Sequence, residues 1–294
     1  LILSGLLFGL SFSPMPFPFT IFFFLTPLLI VLETRESGKS IYAAYYLMLF
    51  SASAVSVYWV GAFTVMKDPF LMISGFLLFF VNPFFLSVQV PLYILVRKFA
   101  GKTTALLLIP LFWTINDYLY MFTDFSFPWT SVGHAAANFN SFIQIADLIG
   151  SLGLGMLILY INLFLYLGYK KYLLAKKPVN VYTITALMLL IIPLLYSLYP
   201  QPTQKTKTLS VGIIQPDLDP YDKWAGTNLN DILDLYLHLS DSAVSLGAKL
   251  LVWPETALPA YVFSGAYPDI QTKIESFLQQ KNVALLTGMP DLQY

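Results

Sequence analysis

One glutamate in the last third of the chain lies where a parallel sheet usually carries its chemistry. The segment is Leu250-Leu-Val-Trp-Pro-Glu-Thr-Ala-Leu-Pro259. It begins as a buried strand and ends in a turn stiffened by two prolines, so Glu255 should follow the strand and be covered by Trp253. In open α/β sheets, functional groups collect just beyond the carboxyl ends of the strands, and a carboxylate there can act as a general base. A glutamate that caps the next loop or faces water would fit the same position.

The pattern of apolar residues after residue 200 predicts the elements that position Glu255. Three short apolar runs predict strands, and two segments with apolar residues at i, i+3, i+4 and i+7 predict helices between them. The alternation of strand and helix favours a parallel sheet with helices on its faces. In chain order these elements are residues 209–215, 228–246, 249–253, 270–278 and 283–287. Because three strands are too few for a whole α/β domain, we expect the sequence to be part of a longer protein.

The composition of the chain excludes several classes of function. Sixteen basic and sixteen acidic residues give no net charge, so the positive field that holds nucleic acid is missing and we expect no nucleic-acid partner. The chain has no cysteine, which excludes disulfides, thiolate zinc sites and a cysteine nucleophile within it. Its two histidines, His134 and His238, are not part of a cluster and predict no metal site. We expect no cofactor.

The first 200 residues have the composition of a membrane protein. In the whole chain 57% of the residues are hydrophobic and 11% are charged, whereas soluble domains carry roughly 25% charged residues. A helix that crosses a bilayer needs about 20 apolar residues, and the uncharged stretches predict seven such spans. Their approximate bounds are residues 1–11, 17–32, 41–60, 70–96, 103–121, 141–169 and 179–199.

Basic residues in the predicted loops indicate the orientation, because cytoplasmic loops are enriched in lysine and arginine. One set of loops carries nine basic residues and the opposite set only Lys67. The N-terminus should therefore be cytoplasmic, with a transmembrane domain over residues 1–200 and an extracytoplasmic domain over residues 201–294. The nine basic residues are Arg35, Lys39, Arg97, Lys98, Lys102, Lys170, Lys171, Lys176 and Lys177.

A segment with two aromatic residues follows the fifth predicted span. Phe127 and Trp129 lie in the segment Phe127-Pro-Trp129, which we expect at the membrane–water interface. Tryptophan is enriched at such interfaces in any case, so an aromatic belt without substrate contact explains the same residues. Asn116 and Asp117, near the end of the same span, could orient this loop through hydrogen bonds or simply face interfacial water.

The segment around Glu255 resembles the glutamate motif of the nitrilase (carbon–nitrogen hydrolase) superfamily. With the predicted bundle, the chain is similar over essentially its whole length to the bacterial apolipoprotein N-acyltransferase family. This resemblance implies a membrane protein in which a seven-helix transmembrane bundle precedes the N-terminal part of an α/β nitrilase-like (αββα) domain. Further segments that carry it are Phe8-Gly9, Phe12-Ser13-Pro14, Trp59, Phe127-Pro-Trp129, Gly133, Val211-Gly-Ile-Ile-Gln-Pro216 and Lys223-Trp224.

Members of this family transfer a fatty acyl group from a phospholipid to the N-terminal amine of diacylglyceryl-cysteine lipoproteins. The superfamily uses a glutamate that takes the proton of a thiol, a cysteine that attacks the ester and a lysine that supports the oxyanion. The resemblance implies that Glu255 is the base and that Trp224, Trp129 and Phe127 bind substrate, although Trp224 would equally suit core packing. The lysine and the cysteine would follow this chain, which alone should be inactive.

The resemblance also implies a location and partners. The protein would lie in the bacterial cytoplasmic (inner) membrane as a monomer, with its catalytic domain in the periplasm. Its partners would be a phospholipid acyl donor and a diacylated lipoprotein acceptor. Lys273 and Lys281, on or beside the second helix of the outer domain, are expected to be ordinary solvated lysines rather than the lysine of the triad.

Two other functions fit parts of the same sequence. A membrane-tethered amidase or nitrilase-type hydrolase would use Glu255 in the same way, with water in place of the lipoprotein amine as acceptor. A transporter with an accessory outer domain would fit the apolar first part, although transporters usually carry ionisable residues deep in several spans. Acyl transfer, simple hydrolysis and solute flux are the activities that distinguish the three.

Overall fold

A computed structural model describes residues 1–61, 68–176, 179–199, 208–224 and 228–290. Two of the basic residues that indicated the orientation, Lys67 and Lys177, lie outside these ranges. The chain divides into two compact units, Leu1–Gln201 and Pro202–Tyr294. In the described ranges the first unit is helical and the second carries the strands.

The helices of the first unit follow the apolar stretches of the sequence. Two stretches are long and apolar enough to cross a bilayer, Pro69–Ala100 and Ala146–Ala175, and two shorter apolar ones are Pro18–Thr34 and Val181–Ser197. The number of spans therefore stays a prediction. The α-helices are α1 (Ile2–Gly9), α2 (Leu25–Thr34), α3 (Gly38–Ser56), α4 (Pro69–Leu86), α5 (Val90–Ala100), α6 (Lys102–Leu107), α7 (Ile109–Tyr120), α8 (Asn140–Ile143), α9 (Ala146–Ala175) and α10 (Val181–Ser197). Short 3₁₀ helices cover Pro18–Phe22, Tyr58–Gly61, Pro128–Thr130 and Val132–Ala136.

Several predicted spans are not continuous helices, and the prediction is wrong in this respect. Residues 17–32 form a 3₁₀ turn followed by α2, residues 70–96 contain α4 and α5, and residues 103–121 contain α6 and α7. Proline lies within the first turn of the second segment in the latter two, as Pro91 in α5 and Pro110 in α7. Proline lacks the N–H that continues a helix but fits its first turn. A new helix therefore begins next to each of these prolines, although the absence of charged residues alone predicts one continuous helix.

Asn162 satisfies the backbone groups that the break before α2 leaves open. Its side-chain carbonyl oxygen accepts a hydrogen bond from the Leu25 N–H at 3.0 Å, and its amide donates to the carbonyl of Ile21 at 2.8 Å. The amide also bonds to the Ile158 carbonyl one turn earlier in α9, at 3.0 Å. Irregular backbone inside a membrane needs such internal partners, so one buried polar side chain holds this break in place.

Small residues allow α1 to pack closely on α3. A Cβ atom at Gly5 would lie 2.3 Å from the carbonyl oxygen of Met48, and one at Gly9 would lie 2.8 Å from that of Ala52. Close approach of this kind is how helices commonly associate in membranes, where van der Waals packing replaces the hydrophobic effect. On its other side α1 contributes Phe8, whose ring stacks on Phe24 at 4.5 Å and meets Trp113 edge-on at 5.8 Å.

The second unit contains the parallel sheet that the sequence predicts. Strand β2 lies between β1 and β3, with Leu251 opposite Gly212 on one side and Leu285 on the other. The strand–helix–strand–helix–strand order is therefore confirmed within the described residues. The elements are β1 (Val211–Ile213), α11 (Pro220–Trp224), α12 (Leu229–Ser245), β2 (Leu250–Val252), a 3₁₀ turn (Val262–Ser264), α13 (Pro268–Lys281) and β3 (Ala284–Leu286).

Ion pairs link α13 to α12 at the surface of the second unit. Lys273 pairs with Asp234, and Lys281 pairs with Asp241. All four side chains are partly or largely solvent-accessible, which limits such pairs to a small contribution to stability. The two lysines therefore lie on a helix surface, as the sequence predicts for them.

Candidate active site

Glu255 lies beside a cavity at the carboxyl end of β2. The cavity has a volume of about 340 Å³. Four segments contribute to it: the loop after β2, the segment after β1, the short helix α11 and, through Tyr236, helix α12. Its polar and aromatic lining includes Gln215, Asp217, Lys223, Trp224, Glu255 and Thr256. This is the edge of a parallel sheet at which functional groups collect.

The Glu255 side chain is exposed, and the expectation that Trp253 covers it is wrong. Trp253 lies in the core, with its ring centroid 4.8 Å from that of Tyr236 and its indole N–H bonded to the Ser240 hydroxyl at 2.9 Å. The indole has a polar partner available on α12, so burying it there leaves its N–H satisfied. The carboxylate is therefore accessible from the cavity and from solvent.

The loop that carries Glu255 has an unusual backbone and a close neighbour. Thr256 has a φ of 49°, and Asp217 across the cavity has a φ of 53°. Non-glycine residues with a positive φ are uncommon. They recur at functional sites, where the surrounding structure holds them in this conformation. The Ala257 N–H donates to the Gly288 carbonyl at 3.2 Å, and a Cβ at Gly288 would lie 3.2 Å from the Glu255 Cα. The segment after β3 therefore supports the glutamate loop directly.

Lys223 and Trp224 come from α11 and line the same cavity. The Lys223 Nζ donates a hydrogen bond to the Thr256 carbonyl oxygen. Partial burial lowers the pKa of the Lys223 ammonium below its usual value. Trp224 is 59% exposed, so it lies at the cavity rather than in the core. Sequence reasoning gave Lys223 no role of its own, and its position next to Trp224 was the signal available.

The Phe127–Trp129 loop belongs to the first unit. Trp129 is 52% exposed and its ring lies 5.1 Å from that of Trp59, while Phe127 is partly buried against the helical core. Asp117 accepts a hydrogen bond from the Ser131 hydroxyl at 3.0 Å and one from the Val132 N–H at 3.4 Å. Asp117 therefore orients the end of this loop, which was one of its two expected roles.

Buried polar side chains near this loop were missed by sequence reasoning. Asn82 of α4 donates to the Ser53 hydroxyl at 3.3 Å and to the Thr130 hydroxyl at 3.4 Å. It also accepts from the Tyr120 hydroxyl at 3.5 Å. Asn116 bonds to the Phe85 carbonyl at 3.5 Å rather than to the loop. Four segments distant in the sequence meet here, so no local pattern could have revealed it.

No group of three or more metal-ligating side chains is close enough to hold an ion in the parts of the chain that the structure describes. His134 instead places its Nδ1 3.0 Å from the Pro128 carbonyl oxygen. That contact spans the turn containing Trp129, and His238 is exposed on α12. The candidate reactive group in the second unit is thus the Glu255 carboxylate, which lines the same cavity as Lys223 and Trp224.

The family model for the apolipoprotein N-acyltransferase N-terminal domain matches residues 4–164. The chain belongs to this family. Curated relatives extend the likeness across both units, because they align with nearly all of the chain. The apolipoprotein N-acyltransferase of Chlorobaculum tepidum is 29% identical to it, covering 99% of this chain and 54% of the relative.

Two further relatives have the same name and similar coverage. The apolipoprotein N-acyltransferase of Geobacter metallireducens is 29% identical over 98% of this chain and 56% of its own length. That of Coxiella burnetii is 24% identical over 98% of this chain and 59% of its own length. The chain therefore spans somewhat more than half the length of the curated relatives that it matches.

Proposed function

We propose that the whole protein to which this chain belongs is an apolipoprotein N-acyltransferase. It would transfer a fatty acyl group from a phospholipid to the N-terminal amine of a diacylglyceryl-cysteine lipoprotein. The observation that carries this proposal is Glu255, exposed at a cavity beyond the carboxyl end of a parallel strand in a chain of this family. Names of relatives that align with nearly the whole chain support it.

The proposed architecture places the chemistry at a membrane surface. Residues 1–200 would form a bundle of seven spans with a cytoplasmic N-terminus, supported by the apolar helices and by the nine basic residues in or beside the predicted loops. Residues 201–294 would be the N-terminal part of a nitrilase-like domain on the periplasmic side of the bacterial inner membrane. Both substrates have acyl chains in the outer leaflet, so a domain anchored there would meet them at a high effective concentration.

Glu255 would act as the general base of two successive displacements. Its carboxylate would accept the proton of a cysteine thiol as the sulfur attacks the ester carbonyl of a phospholipid. The ester C–O bond breaks, a lysophospholipid leaves with the proton, and an acyl thioester remains. The lipoprotein amine then attacks the thioester, forming an amide and releasing the thiol. A covalent intermediate divides one difficult transfer into two easier ones.

The remaining catalytic groups would come from a part of the whole protein outside this chain. The chain has no cysteine, and Lys273 and Lys281 are paired with aspartates on α12. A lysine and a cysteine elsewhere in the protein would therefore complete the triad, with the lysine stabilising negative charge on the oxyanion. Trp224 would contact the substrate at the cavity, and Trp129 and Phe127 would contact lipid at the membrane surface.

Acyl transfer by the whole protein tests this proposal. The purified protein is incubated with phospholipid vesicles and a synthetic diacylated lipopeptide that has a free N-terminal amine. Mass spectrometry should show the peptide gaining one fatty acyl group as lysophospholipid accumulates. A peptide with an acetylated N-terminus provides the control and should gain nothing. Amide hydrolysis or solute flux without transfer would support the hydrolase or the transporter and contradict the proposal.

A further inference from the structure

A hydrogen bond joins two of the segments that line the candidate site. The Lys223 Nζ at the end of α11 donates to the Thr256 carbonyl oxygen, 33 residues later in the chain. Both residues line the cavity beside Glu255. Glu255 immediately precedes Thr256, and Trp224 immediately follows Lys223. The bond therefore connects the residue that follows the glutamate with the residue that precedes the exposed tryptophan.

The loop that accepts this bond needs support from outside itself. Thr256 has a φ of 49°, a conformation that a β-branched residue adopts only when its surroundings hold it. On one side the Ala257 N–H bonds to the Gly288 carbonyl at 3.2 Å. On the other side the lysine ammonium holds the Thr256 carbonyl, and a charged donor makes a stronger bond than a neutral one. The two bonds hold the backbone on the C-terminal side of Glu255.

The lysine acts on the backbone and not on the carboxylate. Between the described residues no ion pair within 4.0 Å joins Lys223 to Glu255. A direct ion pair would favour the ionised carboxylate and weaken it as a base. Holding the carbonyl instead fixes the backbone next to Glu255 without pairing with its carboxylate.

We propose that Lys223 is a positioning residue that holds the Glu255 loop at a fixed position relative to the Trp224 segment across the cavity. This inference rests on the proposed function, because it assigns Lys223 a part in placing the base of that reaction. Loss of the bond should displace the carboxylate, and displacement of a catalytic group by about 1 Å can cost roughly 100-fold in rate. The lysine itself would form no bond to the reacting atoms.

Rates of thioester formation in Lys223 variants of the whole protein test the inference. The first half-reaction is followed by intact-protein mass spectrometry at a series of phospholipid concentrations and at several pH values. Lys223→Met should lower the maximal rate by roughly 10- to 100-fold with a smaller change in half-saturation. Lys223→Arg, which keeps a charged donor, should recover most of the rate. Lys273→Met removes an ion pair on α13 and should react like the parent protein.

Each outcome of this experiment has a distinct meaning. A parent protein that forms no thioester would overturn the proposed function and this inference with it. A parent that reacts while Lys223→Met reacts equally fast would overturn the inference alone, as would an Arg variant as slow as the Met variant at every pH. Unfolding midpoints of all variants are measured in parallel. Should Lys223→Met fail to fold, Lys223→Gln, which also lacks the charge, provides the same comparison.

Discussion

Two tryptophans near Glu255 have opposite surroundings. Trp253 is buried, with its ring 4.8 Å from that of Tyr236 and its N–H bonded to Ser240. Trp224 is 59% exposed at the cavity. The first tryptophan therefore packs β2 against α12, whereas the second lines the cavity, where we propose that it contacts a substrate.

Alanine at these two positions should separate stability from substrate use. Trp253→Ala should lower the free energy of unfolding by about 3–5 kcal/mol, because it leaves a cavity in the core. Trp224→Ala should change it by less than about 0.5 kcal/mol, as exposed positions usually do, while raising the phospholipid concentration needed for half-maximal rate. Denaturant unfolding in detergent and the transfer assay measure the two effects. Equal destabilisation by both variants would contradict the assignment.

At the residue scale, the position of Glu255 could be predicted but its surroundings could not. The apolar run 250–253 followed by Pro254 indicates a strand end, and strand ends in parallel sheets carry functional groups. Whether Trp253 covers the carboxylate depends on α12, which offers the Ser240 hydroxyl to the indole. The bond from Lys223 to the Thr256 carbonyl likewise joins residues that are 33 positions apart in the sequence. Neither partner is visible in a local pattern.

At the scale of elements, the predictions for the second unit were better than those for the first. Alternating strand and helix patterns predict a parallel sheet, because each short strand is an apolar run and each helix has one apolar face. In the structure only β2 has a buried residue at its centre, and the first and last residues of β1 and β3 are exposed. In the first unit, a lack of charge does not distinguish one helix from two. The break before α2 is held by Asn162, which lies 137 residues away from Leu25. Hydropathy along the sequence cannot reveal such a partner.

Replacement of Asn162 should therefore destabilise the first unit. Asn162→Leu keeps the volume but leaves the Leu25 N–H and the Ile21 carbonyl without their partner. Unsatisfied buried groups cost about 1–3 kcal/mol, and a loss of this size is expected in unfolding experiments in detergent. Asn138→Leu, at an exposed position, serves as the matched control and should have little effect. Similar stabilities of the two variants would show that the Asn162 bonds contribute nothing.

At the scale of the whole molecule, the proposal depends on which side of the membrane each loop faces. Nine basic residues lie in or beside one set of the loops that the sequence predicts, and they predict that this set is cytoplasmic. The opposite set includes the turn with Trp129, which would then face the periplasm. In the proposed reaction two acyl substrates of the outer leaflet reach Glu255, so the reverse orientation would separate the proposed site from its proposed substrates.

Cysteine labelling can determine this orientation, because the chain has no cysteine of its own. Ala100→Cys, at the end of α5, should react with a membrane-impermeant maleimide only after the inner membrane is opened. Asn138→Cys, in the loop after Trp129, should react in spheroplasts with an intact membrane. Labelling of the parent protein gives the background from any other cysteine in the whole protein. The reversed pattern would refute the proposed topology.

Formation of a fatty acyl thioester on the whole protein tests the role of Glu255 most directly. The protein is mixed with phospholipid in detergent without a lipoprotein acceptor, and its intact mass is followed over time. The parent and Glu275→Gln, an exposed control on α13, should gain the mass of one fatty acyl chain. Glu255→Gln should react at least about 100-fold more slowly, because the proposed general base is lost. Acylation of Glu255→Gln at the rate of the parent would contradict the assignment of Glu255 as the base.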